Sequence, residues 1–255
     1  MYGYRKAFQR KSSFCKSVLI LSVFRFKYFD VKQDKNPLKV GTDSMLLGAF
    51  IDASGKQYAL DLGAGTGVLS LMIAQKNPSI TIDAIELDKF GAEECEENFK
   101  KSRWANNLNS FQGNYFEHPF NKKYDLIFSN PPYHLDSLKS TEKNVRTAKH
   151  SSEEEVFIFF KLIKKLLTET GHFWMIVPYD NHQQFVSSAS NIGLHPNQMI
   201  TLHSKPDKRN IRCVLCLSTN EVPLKTNEFT IRDKNNGYTK EYRELTKEFH
   251  WDKFS

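Results

Sequence analysis

The sequence predicts an open α/β fold, a doubly wound sheet of mostly parallel strands flanked by helices, and three stretches carry that expectation. Tyr58-Ala59-Leu60-Asp61-Leu62, then Gly63-Ala64-Gly65-Thr66-Gly67, then Val68 to Gln75 reads as a buried strand, a tight glycine loop and a helix. Ile80-Thr81-Ile82-Asp83-Ala84-Ile85 is a second apolar strand, closing on Glu86. A further run, Tyr124-Asp125-Leu126-Ile127-Phe128-Ser129, ends in Asn130-Pro131-Pro132-Tyr133. Strands that alternate with helix-length stretches favour a parallel sheet, and such sheets hold their ligands at the carboxyl ends of the strands.

With 255 residues and 40% apolar side chains, the chain can fill one sizeable core. A formal charge of +7, a pI near 9.1 and 13% aromatic residues point to an anionic partner, nucleic acid ahead of an acidic metabolite. Cys15, Cys95, Cys213 and Cys216 are too sparse for a secreted disulfide framework, which places the protein in a reducing compartment, the cytoplasm. Cys213 and Cys216 stand three steps apart on an expected strand and so face opposite sides, which disfavours a redox pair or zinc ligation; no metal site is expected.

In chain order, residues 1–23 carry Arg5, Lys6, Arg10, Lys11 and Lys16 ahead of a short apolar run from Val18 to Phe24. That run is followed by Arg25 and Lys27, lacks a small-x-small cleavage site, and nothing elsewhere approaches the roughly 20 apolar residues of a membrane span. These residues read as a basic extension, either disordered or the product of a start assigned too far upstream, before a single domain over 24–255. Phe24-Arg25-Phe26-Lys27-Tyr28-Phe29 alternates like a strand, and Val40 to Ser44 leads into a short helix over Met45 to Phe50, which Thr42 or Asp43 can cap. Segment 24–52 as a whole is expected to lie over the substrate and cofactor as a lid.

Phe90 to Lys100 reads as a helix whose Glu93, Glu94, Glu96 and Glu97 form a solvated face. Ser110 to Asn114 is a third central strand, Val156 to Leu167 a helix with Phe157, Phe159 and Phe160 in the core, and Gly171 to Val177 a fifth strand. Asn181 to Ile192 is a helix; Met199 to His203 and Ile211 to Ser218 form an antiparallel hairpin with a basic tip containing Lys205, Lys208 and Arg209. Tyr238 to Leu245 forms an edge segment or helix together with Phe249.

The chemistry follows from the loops. Glycines admit positive φ and let backbone approach a ligand, a helix start offers unpaired N–H groups, and a carboxylate at the next strand end can accept both hydroxyls of a ribose. The loop matches no Gly-x-x-x-x-Gly-Lys-Ser/Thr phosphate cradle. Asp61-x-Gly63-x-Gly65-x-Gly67 with Glu86 downstream resembles the class I S-adenosylmethionine-dependent methyltransferases. That resemblance implies a seven-stranded mixed sheet with the last strand antiparallel, S-adenosylmethionine as cofactor, Asp61, Gly63, Gly65, Gly67 and Glu86 around it, and Asn114 at its adenine. If Asn130 and the Pro131 carbonyl both accept hydrogen bonds from an amino group, its delocalised lone pair can localise towards a methyl donor, while Tyr133 stacks on a flat substrate.

Asn130-Pro131-Pro132-Tyr133 is similar to the tip of amino methyltransferases that act on adenine N6 in DNA or RNA, or on glutamine N5 in release factors. Phe24 to Phe29, Pro37-Leu38-Lys39-Val40-Gly41-Thr42-Asp43-Ser44 and Leu46-Leu47-Gly48-Ala49 resemble the amino-terminal signature of the bacterial valine-tRNA adenine-N6 methyltransferases. Arg146-Thr147-Ala148-Lys149-His150 is similar to that family's Arg-x-x-Ala-Arg-His element, with lysine in place of the second arginine and its planar fork lost. The resemblance implies methylation of the adenine immediately 3′ of the anticodon, adenine 37, of tRNA1(Val). Lys39, Thr42 and Asn130 would join the cofactor set, and Arg25, Lys27, Arg146, Lys149, His150, Lys208 and Arg209 would contact RNA. Glutamine-N5 methylation of a protein, adenine-N6 methylation of another RNA or DNA, and a non-catalytic tRNA-binding role are the alternatives; neither a membrane nor an obligatory protein partner is implied.

Overall fold

The buried strands assemble, in a computed structural model, into one sheet; residues 23–35, 39–131 and 145–250 are described, with backbone alone at 145–152. The strands are β1 (Val23–Arg25), β2 (Asp30–Lys32), β3 (Tyr58–Leu62), β4 (Thr81–Glu86), β5 (Leu108–Gln112), β6 (Tyr124–Ser129), β7 (Leu167–Pro178), β8 (His195–His203), β9 (Asn210–Ser218) and β10 (Lys225–Thr230). The helices are α1 (Thr42–Phe50), α2 (Val68–Lys76), α3 (Lys89–Lys101), α4 (Val145–Leu166), α5 (His182–Ser190) and α6 (Lys240–Thr246). The main sheet runs β10-β8-β9-β7-β6-β3-β4-β5.

From β5 to β7 all neighbours are parallel, whereas β9 runs antiparallel to both β7 and β8. The seven strands anticipated from the apolar runs are all present, but the sheet has eight. The addition, β10, pairs parallel with β8, so the last strand in the chain is not the antiparallel one. Lys-Thr-Asn-Glu-Phe-Thr has no apolar alternation and is largely exposed; backbone pairing to an open edge holds it, and that leaves no side-chain pattern to read.

Two buried clusters occupy the two faces of the sheet, one built around α1, α2 and the amino-terminal hairpin, the other around α4 and α5. Cys216 lies in the first and Cys213 in the second, as their spacing on one strand requires. Phe159 and Phe160 are buried on the inner face of α4, whereas Phe157, expected in the core with them, is only half-buried. Among the described residues no helix is long and apolar enough to cross a membrane.

The alternating stretch at 24–29 is not one strand. β1 and β2 pair antiparallel, Phe24 opposite Val31, and the turn between them drives Phe26 and Phe29 inward to stack at 4.3 Å. The chain then climbs along α3. Asn98 clasps Lys32 through both backbone groups at 2.9 Å, and the Lys35 N–H donates to Glu94 at 2.7 Å. The α3 glutamates therefore do not form a purely solvated face: Glu94 is wholly buried beneath this segment, and Glu97 and Glu93 pair with Lys32 and Lys35. Residues 1–22, and with them the expectations for the basic extension, lie outside the described residues.

Candidate active site

Strand direction puts the carboxyl ends of β3, β4, β5, β6, β7 and β8 on one edge of the sheet, where the β3 and β6 tips meet across a shared ladder. After β3 the chain passes through Gly63, Gly65 and Gly67 at φ +74°, +56° and +78°, a left-handed conformation that disfavours any residue with a Cβ. These glycines do different things. A Cβ at Gly63 would project into open space, so this face of the loop is available to a ligand. At Gly67 it would meet the Phe99 ring at 2.5 Å and Cys95 Sγ at 2.8 Å, so this glycine lets α2 begin against α3.

The loop is tied to its neighbours rather than left to fluctuate. Gly63 and Ala64 N–H groups donate to the Ile85 carbonyl at 2.9 and 3.0 Å, the Gly65 N–H donates to Glu86 Oε2 at 2.7 Å, and Asn98 donates to the Thr66 carbonyl. Glu86 Oε1 accepts from the Asp88 N–H at 2.8 Å, so each carboxylate oxygen has taken one donor and keeps acceptor capacity for a hydroxyl. Exposed Leu87 and Phe90 follow immediately and give this corner an apolar wall.

Asp61 lies fully buried under the loop. Its Oδ2 accepts from the Ser70 hydroxyl at 2.7 Å, while Oδ1 is buried without a hydrogen-bond partner. Burial pushes this carboxyl up to about 7; Glu86 pushes the same way, and the Ser70 hydroxyl opposes both. An orphaned, buried carboxylate oxygen beneath an open glycine loop is left to be satisfied by a bound water or a positively charged group. The set Asp61, Gly63, Gly65 and Glu86 therefore fits a ligand that combines positive charge with a ribose.

Asn130 stands at the end of β6 and donates from Nδ2 to Ser44 Oγ, 3.1 Å away in the first turn of α1. With the amide nitrogen held in this way, Oδ1 is the end of the side chain presented as an acceptor. Pro131 is buried beside it. Pro132 and Tyr133 lie outside the described residues. Ser44 was not singled out from the sequence, where it reads as one more small polar residue before a helix; its pairing with Asn130 spans 86 positions.

The helix that carries Ser44 starts from Gly41, not from a side-chain cap by Thr42 or Asp43. Asp43 pairs with Arg212 on β9 at 2.9 Å, which clamps the start of α1 to the far half of the sheet. Thr42 is exposed at the same edge. Lys39 is exposed too and donates to the Gln33 and Asp34 carbonyls, which ties it back to the end of the β1–β2 hairpin segment. Asn114 closes its own turn: its Oδ1 accepts from the Phe116 N–H at 3.0 Å and its Nδ2 donates to Glu117 at 3.2 Å. Contact with an adenine would replace the exposed Glu117 partner.

The basic residues divide into two groups. Lys208 and Arg209 sit in the β8–β9 turn on the carboxyl edge, where Arg209 faces Asp180 at 3.6 Å, and the first turns of α4, with Arg146, Lys149 and His150, begin at this edge as well. The side chains of those three lie outside the described set. Arg25 and Lys27 are at the opposite edge, where Lys27 pairs with Glu248 at 3.1 Å.

Comparison with known proteins places this geometry in a family. The model for the methyltransferase small domain matches residues 37–187. A tRNA1(Val) (adenine(37)-N6)-methyltransferase from Trichodesmium erythraeum is 34% identical over 231 residues, covering 89% of this chain and 97% of its own. That of Flavobacterium johnsoniae is 35% identical, covering 89% and 99%, and that of Actinobacillus pleuropneumoniae serotype 7 is 34% identical, covering 89% and 96%. The chain belongs to this methyltransferase family.

Among solved structures, a predicted O-methyltransferase, protein Atu636 from Agrobacterium tumefaciens, superimposes with a TM-score of 0.64 at 13% identity, covering 81% of this chain and 96% of its own. The CcbJ methyltransferase from Streptomyces caelestis does so with a TM-score of 0.54 at 12% identity, covering 71% and 97%. At such identities the likeness concerns the fold, which is that of the class I methyltransferases. As an enzyme of this family the chain is a methyltransferase, and the family and fold imply use of S-adenosylmethionine.

Proposed function

We propose that this methyltransferase acts on the N6 amino group of adenine 37 in tRNA1(Val), in the cytoplasm. The observation that carries the reading is Asn130 fixed by Ser44 at the β6 tip, next to a glycine loop with an orphaned buried carboxylate beneath it. S-adenosylmethionine bound there would supply an electrophilic methyl group. Asp61 would balance its positive charge, Gly63 and Gly65 would leave it room, and Glu86 would accept from its ribose. Leu87 and Phe90 would flank its base, with Asn114 at the rim, and the resemblance adds Lys39 and Thr42 from the amino-terminal segment.

Asn130 Oδ1 and the Pro131 carbonyl accept hydrogen bonds from the target amino group and draw its lone pair out of conjugation. Acceptors already oriented before the amine arrives lose nothing to reorganisation as charge develops. Tyr133, outside the described residues, keeps the role the resemblance implies, stacking on the flat base, a contact that would be worth roughly 1–3 kcal/mol. The amino nitrogen needs no base before attack, and its extra proton leaves to solvent afterwards. An adenine in an unpaired anticodon loop leaves its stack at low cost. Lys208 and Arg209 stand at the edge where its phosphates would arrive, and the resemblance adds Arg146, Lys149 and His150 from the first turns of α4.

The test is incubation with labelled S-adenosylmethionine and either total tRNA or a release factor, followed by digestion. Label in N6-methyladenosine at position 37 of tRNA1(Val) supports the proposal. Label confined to methylglutamine would overturn it, and label in N6-methyladenosine of another RNA or of DNA would overturn the assignment of the target.

A further inference from the structure

At the edge of the sheet remote from Asn130, the β1–β2 hairpin and the end of α3 enclose a cavity of about 650 Å³. Arg25, Lys27, Lys32, Lys101 and Arg103 line it, with Asp30 as its one acidic side chain. Tyr28, 42% exposed, stands at its mouth, with the Arg103 guanidinium 5.2 Å and the Lys27 ammonium 5.3 Å from the ring centroid. Glu97 and Glu248 neutralise Lys32 and Lys27. Arg25, Lys101 and Arg103 have no carboxylate within ion-pair distance among the described residues, and all three are exposed. Positive charge thus remains in excess around an accessible aromatic face. Val23, on the wall of this cavity, also follows 22 residues that carry Arg5, Lys6, Arg10, Lys11 and Lys16 and neither aspartate nor glutamate.

Beyond the cavity the α3 glutamates are matched, Glu93 by Lys35 and Glu96 by Lys100, so the excess is local to this end. Unpaired guanidinium groups beside an open aromatic ring are a combination that binds sugar–phosphate backbone, the charges taking phosphates and the ring a sugar or base. The thirteen residues of α3 span about 20 Å at ~1.5 Å each and separate this cleft from the carboxyl edge. A nucleotide in the active site and a phosphate in the cleft can therefore belong to one RNA, the second lying in a helical arm beyond the loop.

We propose that the cleft around Tyr28 is a second RNA-binding surface, which holds the backbone of the tRNA outside its anticodon loop and so favours whole tRNA over an isolated stem–loop. The inference rests on the tRNA reading given above. Its test is fluorescence-anisotropy binding of the full-length protein and of Lys101→Glu/Arg103→Glu to unmodified whole tRNA and to the isolated anticodon loop with its shortest stable stem, over a series of salt concentrations. The double reversal is expected to weaken whole-tRNA binding about tenfold or more and to reduce the salt slope by about two, with stem–loop and S-adenosylmethionine affinities unchanged. Tyr28→Ala is expected to weaken whole-tRNA binding several-fold with little change in that slope.

Unchanged affinity for whole tRNA in both variants would overturn the proposal, as would an equal loss for the two RNAs with cofactor binding intact. Inorganic phosphate that binds the wild type and not the double variant, with whole-tRNA affinity the same in both, would reassign the cleft to a small anion and overturn it too. Because binding is read without turnover, failure of the wild type to methylate any tRNA would count against the functional reading alone.

Discussion

Replacing Asp61 with asparagine isolates the electrostatics of the pocket beneath the glycine loop. The carboxyl is pushed to about 7 from an ordinary 3.8, chiefly by burial, which favours the protonated over the ionised form by roughly 4 kcal/mol in the folded protein. The folded-state value lies above the unfolded one, so between about pH 4 and pH 7 the folded protein binds the extra proton. The stabilisation from the protonated form is complete below about pH 4 and is lost as pH rises through about 7.

The asparagine cannot ionise and keeps an acceptor for Ser70, but it sets an amide where Oδ1 has no partner, at a cost of about 1–3 kcal/mol. Asp61→Asn without cofactor should accordingly be more stable than the wild type by about 1–3 kcal/mol near pH 8 and slightly less stable near pH 5. Urea unfolding at the two pH values measures this directly. S-adenosylmethionine affinity, by calorimetry, should fall at least about tenfold in the variant at pH 8, since ~1.4 kcal/mol of charge pairing is one decade. Equal destabilisation at both pH values would refute the account of a strained, ionisable carboxyl held for a cationic ligand.

Three further outcomes follow from the geometry. Asn130→Ala should abolish methyl transfer while leaving cofactor affinity near the wild-type value; loss of cofactor binding in a folded protein would contradict the role given to the amide. Ser44→Ala removes one orienting hydrogen bond, worth about 0.5–1.5 kcal/mol, so kcat should drop about 3–10-fold with KM for RNA little changed; a change confined to KM would assign Ser44 to substrate binding instead. Gly67→Ala forces a Cβ into Phe99 and Cys95 at a positive φ and should cost about 2–4 kcal/mol in thermal or urea unfolding, whereas Gly63→Ala, with open space ahead of it, should cost less stability but impair cofactor binding.

What could be read directly from the sequence is what depends on short-range pattern. Apolar strands, a glycine loop and a strand-end carboxylate each declare themselves within a few residues, because alternation, positive φ and βα geometry are local constraints, and the seven central strands and the Asp61 to Glu86 set stand where that pattern put them. The resemblance at 24–29, 37–49, 130–133 and 146–150 identified the same family as the curated relatives.

Long-range pairing decided the rest. Only the packed structure places Ser44 against Asn130, ties Asp43 to Arg212, buries Glu94 under a climbing segment, adds β10 to an open edge and carries Arg25 and Lys27 to the edge opposite Lys208 and Arg209. Each of these joins residues whose meeting depends on where the intervening elements pack, and burial, which gives Asp61 its raised pKa, is likewise a property of the assembled core rather than of any stretch of chain. The sequence by itself nominated Asp61, the loop glycines, Glu86 and Asn130; the tertiary structure determined which oxygen of Asp61 lacks a partner and which atom of Asn130 is held, because both depend on where the elements pack.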